Sequence, residues 1–330
     1  MRLICQGLVS LAALLALAGA GCGSPRLVWF TPDLASEDMA GLFTHPERWP
    51  LARSRVDVFK FYAQQLALTP EECPECGPNT FARLAAASAF SRLAEWRVAI
   101  GVELPVVKAQ SCGADQAVLL LQRAVANLRS QGRSILYLAM DEPYLSGAPC
   151  GYDADRTASE VARFVSAVHS QYPGILVGDI EPYPALSADA IQAWIAKLAA
   201  AGAAPAFFHL DVDHAFADAH GLDVGPDLAA LQRFCAQRAL PFGILFSGHD
   251  GVDDHGYHDE VLAWTRRVAS IIGTPDHSVF QSFTRAAGGG FSVPLNLPED
   301  DPAILSHTRL LLEGTQILRP WPRAGAPGQD

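Results

Sequence analysis

From residue 27 onward the chain alternates between short apolar runs and longer stretches of helical periodicity, and the alternation repeats eight times. The runs are Leu27–Thr31, Val56–Tyr62, Val98–Val102, Ile135–Met140, Ile175–Asp179, Ala206–Leu210, Phe242–Phe246 and Ser278–Ser282. Several are apolar at consecutive positions, as expected of parallel strands covered on both faces. Parallel neighbours cannot be joined by a hairpin and need a crossover, usually a helix. The candidate helices fill that role: 80–96, 114–130, 153–172, 187–201, 226–240, 258–272 and 302–317. Eight such units at intervals of roughly 30 to 40 residues have the count and period of an α/β fold built as a single (β/α)8 TIM barrel. The rival, a doubly wound open sheet, lacks support because no glycine-rich loop follows the first run. Half of the 330 residues are apolar, enough for one barrel-sized core. We place the barrel domain at 25–323 and expect a disordered tail at 324–330.

The first 21 residues read as a processing signal outside the fold. Arg2 supplies a positive charge, Leu8 to Ala18 is almost wholly apolar, and Gly19-Ala20-Gly21 precedes Cys22. This resembles a bacterial lipoprotein signal, which implies lipidation of Cys22, although Gly19 stands where that family usually has an aliphatic residue. The alternative is an ordinary secretory signal cut nearby. Either way the expected location is extracytoplasmic: a lipid-anchored protein of the periplasm or cell surface, otherwise a secreted one. Any membrane contact would be through that anchor only.

Cysteine usage fits an oxidising compartment. Cys112 and Cys150 follow the third and fourth runs, so both lie in loops on one barrel face, and we expect them to pair. Cys73 and Cys76 either close on each other or would need two further ligands to hold zinc. Cys235 has helical surroundings and reads as a buried thiol.

In a barrel, chemistry gathers at the carboxyl ends of the strands. Two Glu-Pro-Tyr triplets stand there, Glu142-Pro143-Tyr144 after the fourth run and Glu181-Pro182-Tyr183 after the fifth. If the strands are neighbours, Glu142 and Glu181 emerge side by side, adjacent strands being ~4.8 Å apart. The other strand-end residues are mostly carboxylates and aromatics: Trp29, Lys60, Tyr62, Glu103, Asp141, Asp211, Asp213, His214, His249, Asp250, Gln281 and Phe283. Carboxylates can protonate a leaving oxygen, activate water or stabilise an oxocarbenium ion, and aromatic faces stack on pyranose rings. Glycoside hydrolysis uses that pairing. We therefore expect a carbohydrate substrate, with Trp29, Tyr62, Tyr144, Tyr183 and Phe283 lining its cleft.

Asp141-Glu142-Pro143 resembles the acid/base motif of the large clan of barrel glycoside hydrolases, where Asn-Glu-Pro follows the fourth strand. The resemblance implies Glu142 as general acid. That clan's nucleophile is a Glu at the seventh strand, where this chain has Ser247-Gly248-His249-Asp250, so the match fails there. Glu181 is then the candidate base or nucleophile, with Asp250 in reserve. The vicinal Asp141-Glu142 also resembles the substrate-assisted hexosaminidases, which implies an orienting role for Asp141. Known metal-dependent barrel hydrolases begin with His-x-His at the first strand. Here that strand is Val28-Trp29-Phe30-Thr31-Pro32, so the histidines and aspartates near 209–214 and 249–255 read as a polar rim. We expect no metal and no cofactor. A formal charge of −11 without a basic stripe argues against nucleic acid. Two other readings stay open: a non-catalytic glycan-binding lipoprotein on a degenerate barrel, and a metal-dependent hydrolase.

Overall fold

The computed structural model describes residues 26–108, 111–248, 253–283 and 294–318. The signal segment with Cys22, the tail, His249 and Asp250 lie outside the described residues. The eight expected runs form eight parallel strands: β1 (Leu27–Thr31), β2 (Val58–Tyr62), β3 (Ala99–Leu104), β4 (Tyr137–Asp141), β5 (Leu176–Tyr183), β6 (Phe208–Val212), β7 (Phe242–Phe246) and β8 (His277–Gln281). They close into a barrel in chain order, with β8 returning to β1. Beyond β3 the chain adds a two-stranded antiparallel ribbon, in which Val107 pairs with Cys112 and Lys108 with Ser111.

Strand alternation sorts side chains into two environments. Trp29, Val58, Ala139, Ile180, Phe207, Leu245 and Val279 pack together inside the barrel. Their neighbours, including Phe30, Phe59, Val102, Leu138, Val177 and Phe246, face the helices and form the larger core. Glycines make room for the interior aromatics. A Cβ on Gly178 would stand 2.2 Å from the Phe207 ring, and one on Gly243 would stand 2.4 Å from His209. Within that space His209 and His277 lie 2.8 Å apart, and burial lowers the pKa of both.

The helices cover the barrel with ordinary caps. Asp153 accepts the amide of Arg156 at 2.8 Å, and Ser187 accepts that of Ala190 at 3.2 Å. Residues 80–96, expected as one helix, are two, Phe81–Ala86 and Ala89–Glu95, because Ser88 turns into the left-handed region at φ 62°. The turn brings Phe81 and Phe90 into a stack with ring centroids 5.2 Å apart. Disulfides join Cys73 to Cys76 and Cys112 to Cys150, and Cys235 is a buried thiol.

Candidate active site

The inward positions at the carboxyl ends of the strands are polar. Lys60 on β2 is fully buried and donates to Glu103 on β3 and, at 2.6 Å, to the amide oxygen of Gln281 on β8. The Gln281 amide nitrogen stands 3.1 Å from the Tyr62 hydroxyl, and Tyr257 donates to the Gln281 carbonyl at 2.8 Å. Burial, then the charge of Glu103, raises Tyr62 well above the ordinary phenol value, so it stays protonated. These groups form a cross-linked floor.

Above the floor stand Asp141, Glu142 and Asp211. Glu142 directly follows β4 and adopts a left-handed conformation, φ 49° and ψ 48°, while its amide still bonds the Ile180 carbonyl at 3.1 Å. This conformation is uncommon for a residue bearing a side chain. It breaks the strand alternation, so Glu142 leaves the face its register partner takes. Lys108 of the ribbon reaches Asp141 at 2.5 Å and Glu142 at 3.9 Å. Glu142 and Asp211 share a cavity of about 380 Å³ with Pro182, Tyr183, Pro184, Phe216 and Phe283. Asp141 and Lys108 instead border a second groove, of about 910 Å³, which continues between residues 64–75 and the helix Ala114–Ser130.

The charges do not balance. Glu103 is held by Lys60 and Asp141 by Lys108, and among the described residues no cation hydrogen-bonds Glu142 or Asp211. Burial, then the neighbouring Asp141, raises Glu142 to about 8. Burial, then Glu103, raises Asp211 to about 7. Asp141 is also raised, by burial and Glu103, against the pull of Lys108. Glu142 and Asp211 therefore both titrate near neutral pH, where a carboxyl can give or take a proton.

Several expected site residues go elsewhere. Glu181, expected as base or nucleophile, is not in the cleft. β5 runs on through Tyr183, so Glu181 keeps the outward face of the strand and is fully buried. Its two oxygens accept the amides of Tyr144 at 2.7 Å and Leu145 at 3.3 Å, at the start of the helix Pro143–Gly147. Tyr144 stacks on Trp194, centroids 4.8 Å apart, rather than lining the cleft. Trp29 is completely buried inside the barrel against Tyr137, Phe207 and His209, so it offers no face to a sugar. His214 is buried, stacks on Trp264 and stands 3.2 Å from the Ser247 carbonyl. Tyr183 edges the cavity, but its hydroxyl is turned to Asp227 at 2.8 Å. Asp213 lines the cavity wall and caps the helix His214–Ala219 through the Phe216 amide at 2.9 Å. Lys60, Tyr62, Glu103, Asp141, Glu142, Asp211, Gln281 and Phe283 do converge. Among the described residues, no group of three or more His, Cys, Asp or Glu side chains is arranged to hold a metal ion.

Sequence reasoning missed Lys108 and Phe216. Lys108 precedes Cys112 by four residues, and the expected Cys112–Cys150 link ties that segment to the chain that follows Glu142, a signal that could have placed it.

No protein family matches the chain by sequence, and no curated protein does. Solved structures similar in fold include an endo-β-1,4-mannanase double mutant from Cellulomonas fimi, with TM-score 0.56, 13% identity, and coverage of 89% of this chain and 70% of that one. A GH5_18 protein from Streptomyces cattleya in complex with Manβ1-4GlcNAc has TM-score 0.55 and 12% identity, covering 92% and 83%. Xylanase 10B from Thermotoga maritima has TM-score 0.51 and 11% identity, covering 88% and 94%. At these identities the likeness is one of fold: this chain is a TIM barrel.

Proposed function

We propose that this chain is an exported glycoside hydrolase-like protein that cleaves glycosidic bonds of an oligo- or polysaccharide. The observation that carries the reading is the pair Glu142 and Asp211, which line one cavity with pKa values of about 8 and about 7. Glu142, protonated at neutral pH, gives its proton to the departing glycosidic oxygen. Asp211, when ionised, takes the part first expected of Glu181: as base it accepts a proton from the water whose oxygen bonds to the anomeric carbon while the bond to the departing oxygen breaks. Asp141, fixed by Lys108, is the orienting residue. Phe283 and Phe216 offer apolar faces in the same cavity. Two disulfides and the lipoprotein-like first 22 residues support export, with Cys22 as the lipid anchor. β-Linked mannans, xylans and Manβ1-4GlcNAc are the first substrates to try, because proteins of similar fold carry those names.

A binding protein without turnover is the second reading. It is favoured by the two lysine-neutralised carboxylates, Glu103 and Asp141, which a hydroxyl-rich ligand could bond without reaction. Release of reducing ends from a polysaccharide panel separates the two. The wild type should release them, and Glu142→Gln should lose nearly all turnover while keeping its fold. Binding without release by the wild type would favour the second reading.

A further inference from the structure

Lys108 reaches the candidate acid by a route unlike that of any other site residue. It sits on the ribbon beyond β3, outside the barrel wall, and its side chain is 29% exposed, against 24% for Glu142. Among the described residues, three attachments of the ribbon stand out. Val106 and Val107 are buried in the outer core. The Tyr152 hydroxyl donates to the Cys112 carbonyl at 2.9 Å. Cys112 is bonded to Cys150, in the short turn Ala148–Cys150 that continues the helix begun immediately after Glu142. Lys108 and Glu142 are thus both tied to one covalent cross-link, the former four residues before Cys112 and the latter eight before Cys150. We propose that Lys108 is the positioning residue of this site: stapled in place by Cys112–Cys150, its ammonium orients Asp141 and keeps the Glu142 proton transferable.

The physical reason lies in the charge count. Glu142 faces the acidic Asp141, Asp211 and Glu103, and among the described residues Lys108 is the cation in ion-pair contact with it. A carboxyl among carboxylates grips its proton ever more tightly, and a general acid must release it during the reaction. Lys108 opposes that drift. Burial is the largest influence and works against its charge, but Asp141, Glu142 and Glu103 together outweigh it and raise its pKa, so it remains an ammonium over the working range.

The proposal rests on Glu142 being the acid, but its first test needs no substrate. The protein is labelled with 13C at glutamate carboxyls, and the Glu142 resonance is identified by its absence in Glu142→Gln. Lys108→Met should move the Glu142 titration upward by about one pH unit, and Lys108→Arg should restore it to near the wild-type value. Cys112→Ser/Cys150→Ser, which keeps Lys108 but frees the ribbon, should shift the titration in the same direction. Thermal melts of each variant identify any that fail to fold, in which case Lys108→Gln replaces Lys108→Met. An unmoved titration in folded Lys108→Met overturns the role of Lys108. An unmoved titration in the serine variant overturns the part given to the disulfide. On a cleaved substrate, Lys108→Met should carry its alkaline limb to higher pH, with kcat reduced more than KM is raised. Absence of any glycosidase activity would defeat the hydrolase reading but leave the NMR result standing.

Discussion

Glu142 and Glu181 occupy matching triplets and aligned places on adjacent strands, yet a single backbone conformation separates their fates. The left-handed turn at Glu142 carries its carboxyl to the cavity, whereas Glu181 stays in extended strand and is buried beneath the helix Pro143–Gly147. Glu142→Gln should abolish turnover. It should also stabilise the fold at high pH. Between the ordinary glutamate value near 4.5 and the folded value of about 8, the native state keeps a proton that the unfolded chain has released, so stability falls as pH rises through that window. Melting temperatures of wild type and Glu142→Gln should therefore diverge from pH 5 to pH 9, the variant being the more stable at pH 9. Glu181→Gln should behave differently. Burial, then Asp179, raises Glu181 far above the usual range, and glutamine keeps an acceptor for the Tyr144 amide while giving up the longer contact to Leu145. Near-normal turnover in Glu181→Gln would separate a structural carboxyl from a catalytic one.

At the scale of elements, composition and period were enough to place all eight strands, since each run is long enough to be apolar on one or both faces. The strand ends were less legible. β5 was expected to stop at Asp179, but it pairs with β6 as far as Tyr183, where Val212 is its partner. Pairing energy comes from the neighbouring strand, which local sequence does not encode, and the extension is what put Glu181 on the wrong face for the expected role. The helix Pro143–Gly147 supplies a test of its place there. Glu181→Ala would leave the amides of Tyr144 and Leu145 without their acceptor, which should cost about 1–3 kcal/mol in a denaturant melt. Lys108 was missed for another reason: it acts from a two-residue strand, too short to show a period, and only the link between Cys112 and Cys150, 38 residues apart, points to its place.

At the scale of the molecule, the barrel concentrates protons that the unfolded chain would not hold. Asp179 on the outer face of β5 is raised to about 8 by burial, Asp211 to about 7 and Glu142 to about 8. All three make folding take up protons, so their contribution falls as pH rises from the ordinary carboxyl values of about 4 to the folded values of about 7 to 8. The buried histidines act in the opposite sense. His277 is lowered to about 4 and His307 to about 3 by burial, and their contribution is lost as pH falls below 6.5. Calorimetry across pH should therefore show lower stability at pH 9 than at pH 6, with Asp179→Asn lessening the decline. The central claim, an acid at Glu142 opposed by Asp211, is tested most directly by the pH dependence of kcat/KM on the best polysaccharide found. The rate should trace a narrow bell, rising through about 7 as Asp211 ionises and falling through about 8 as Glu142 loses its proton. A profile with no alkaline limb, or one that Glu142→Gln leaves unchanged, would contradict it.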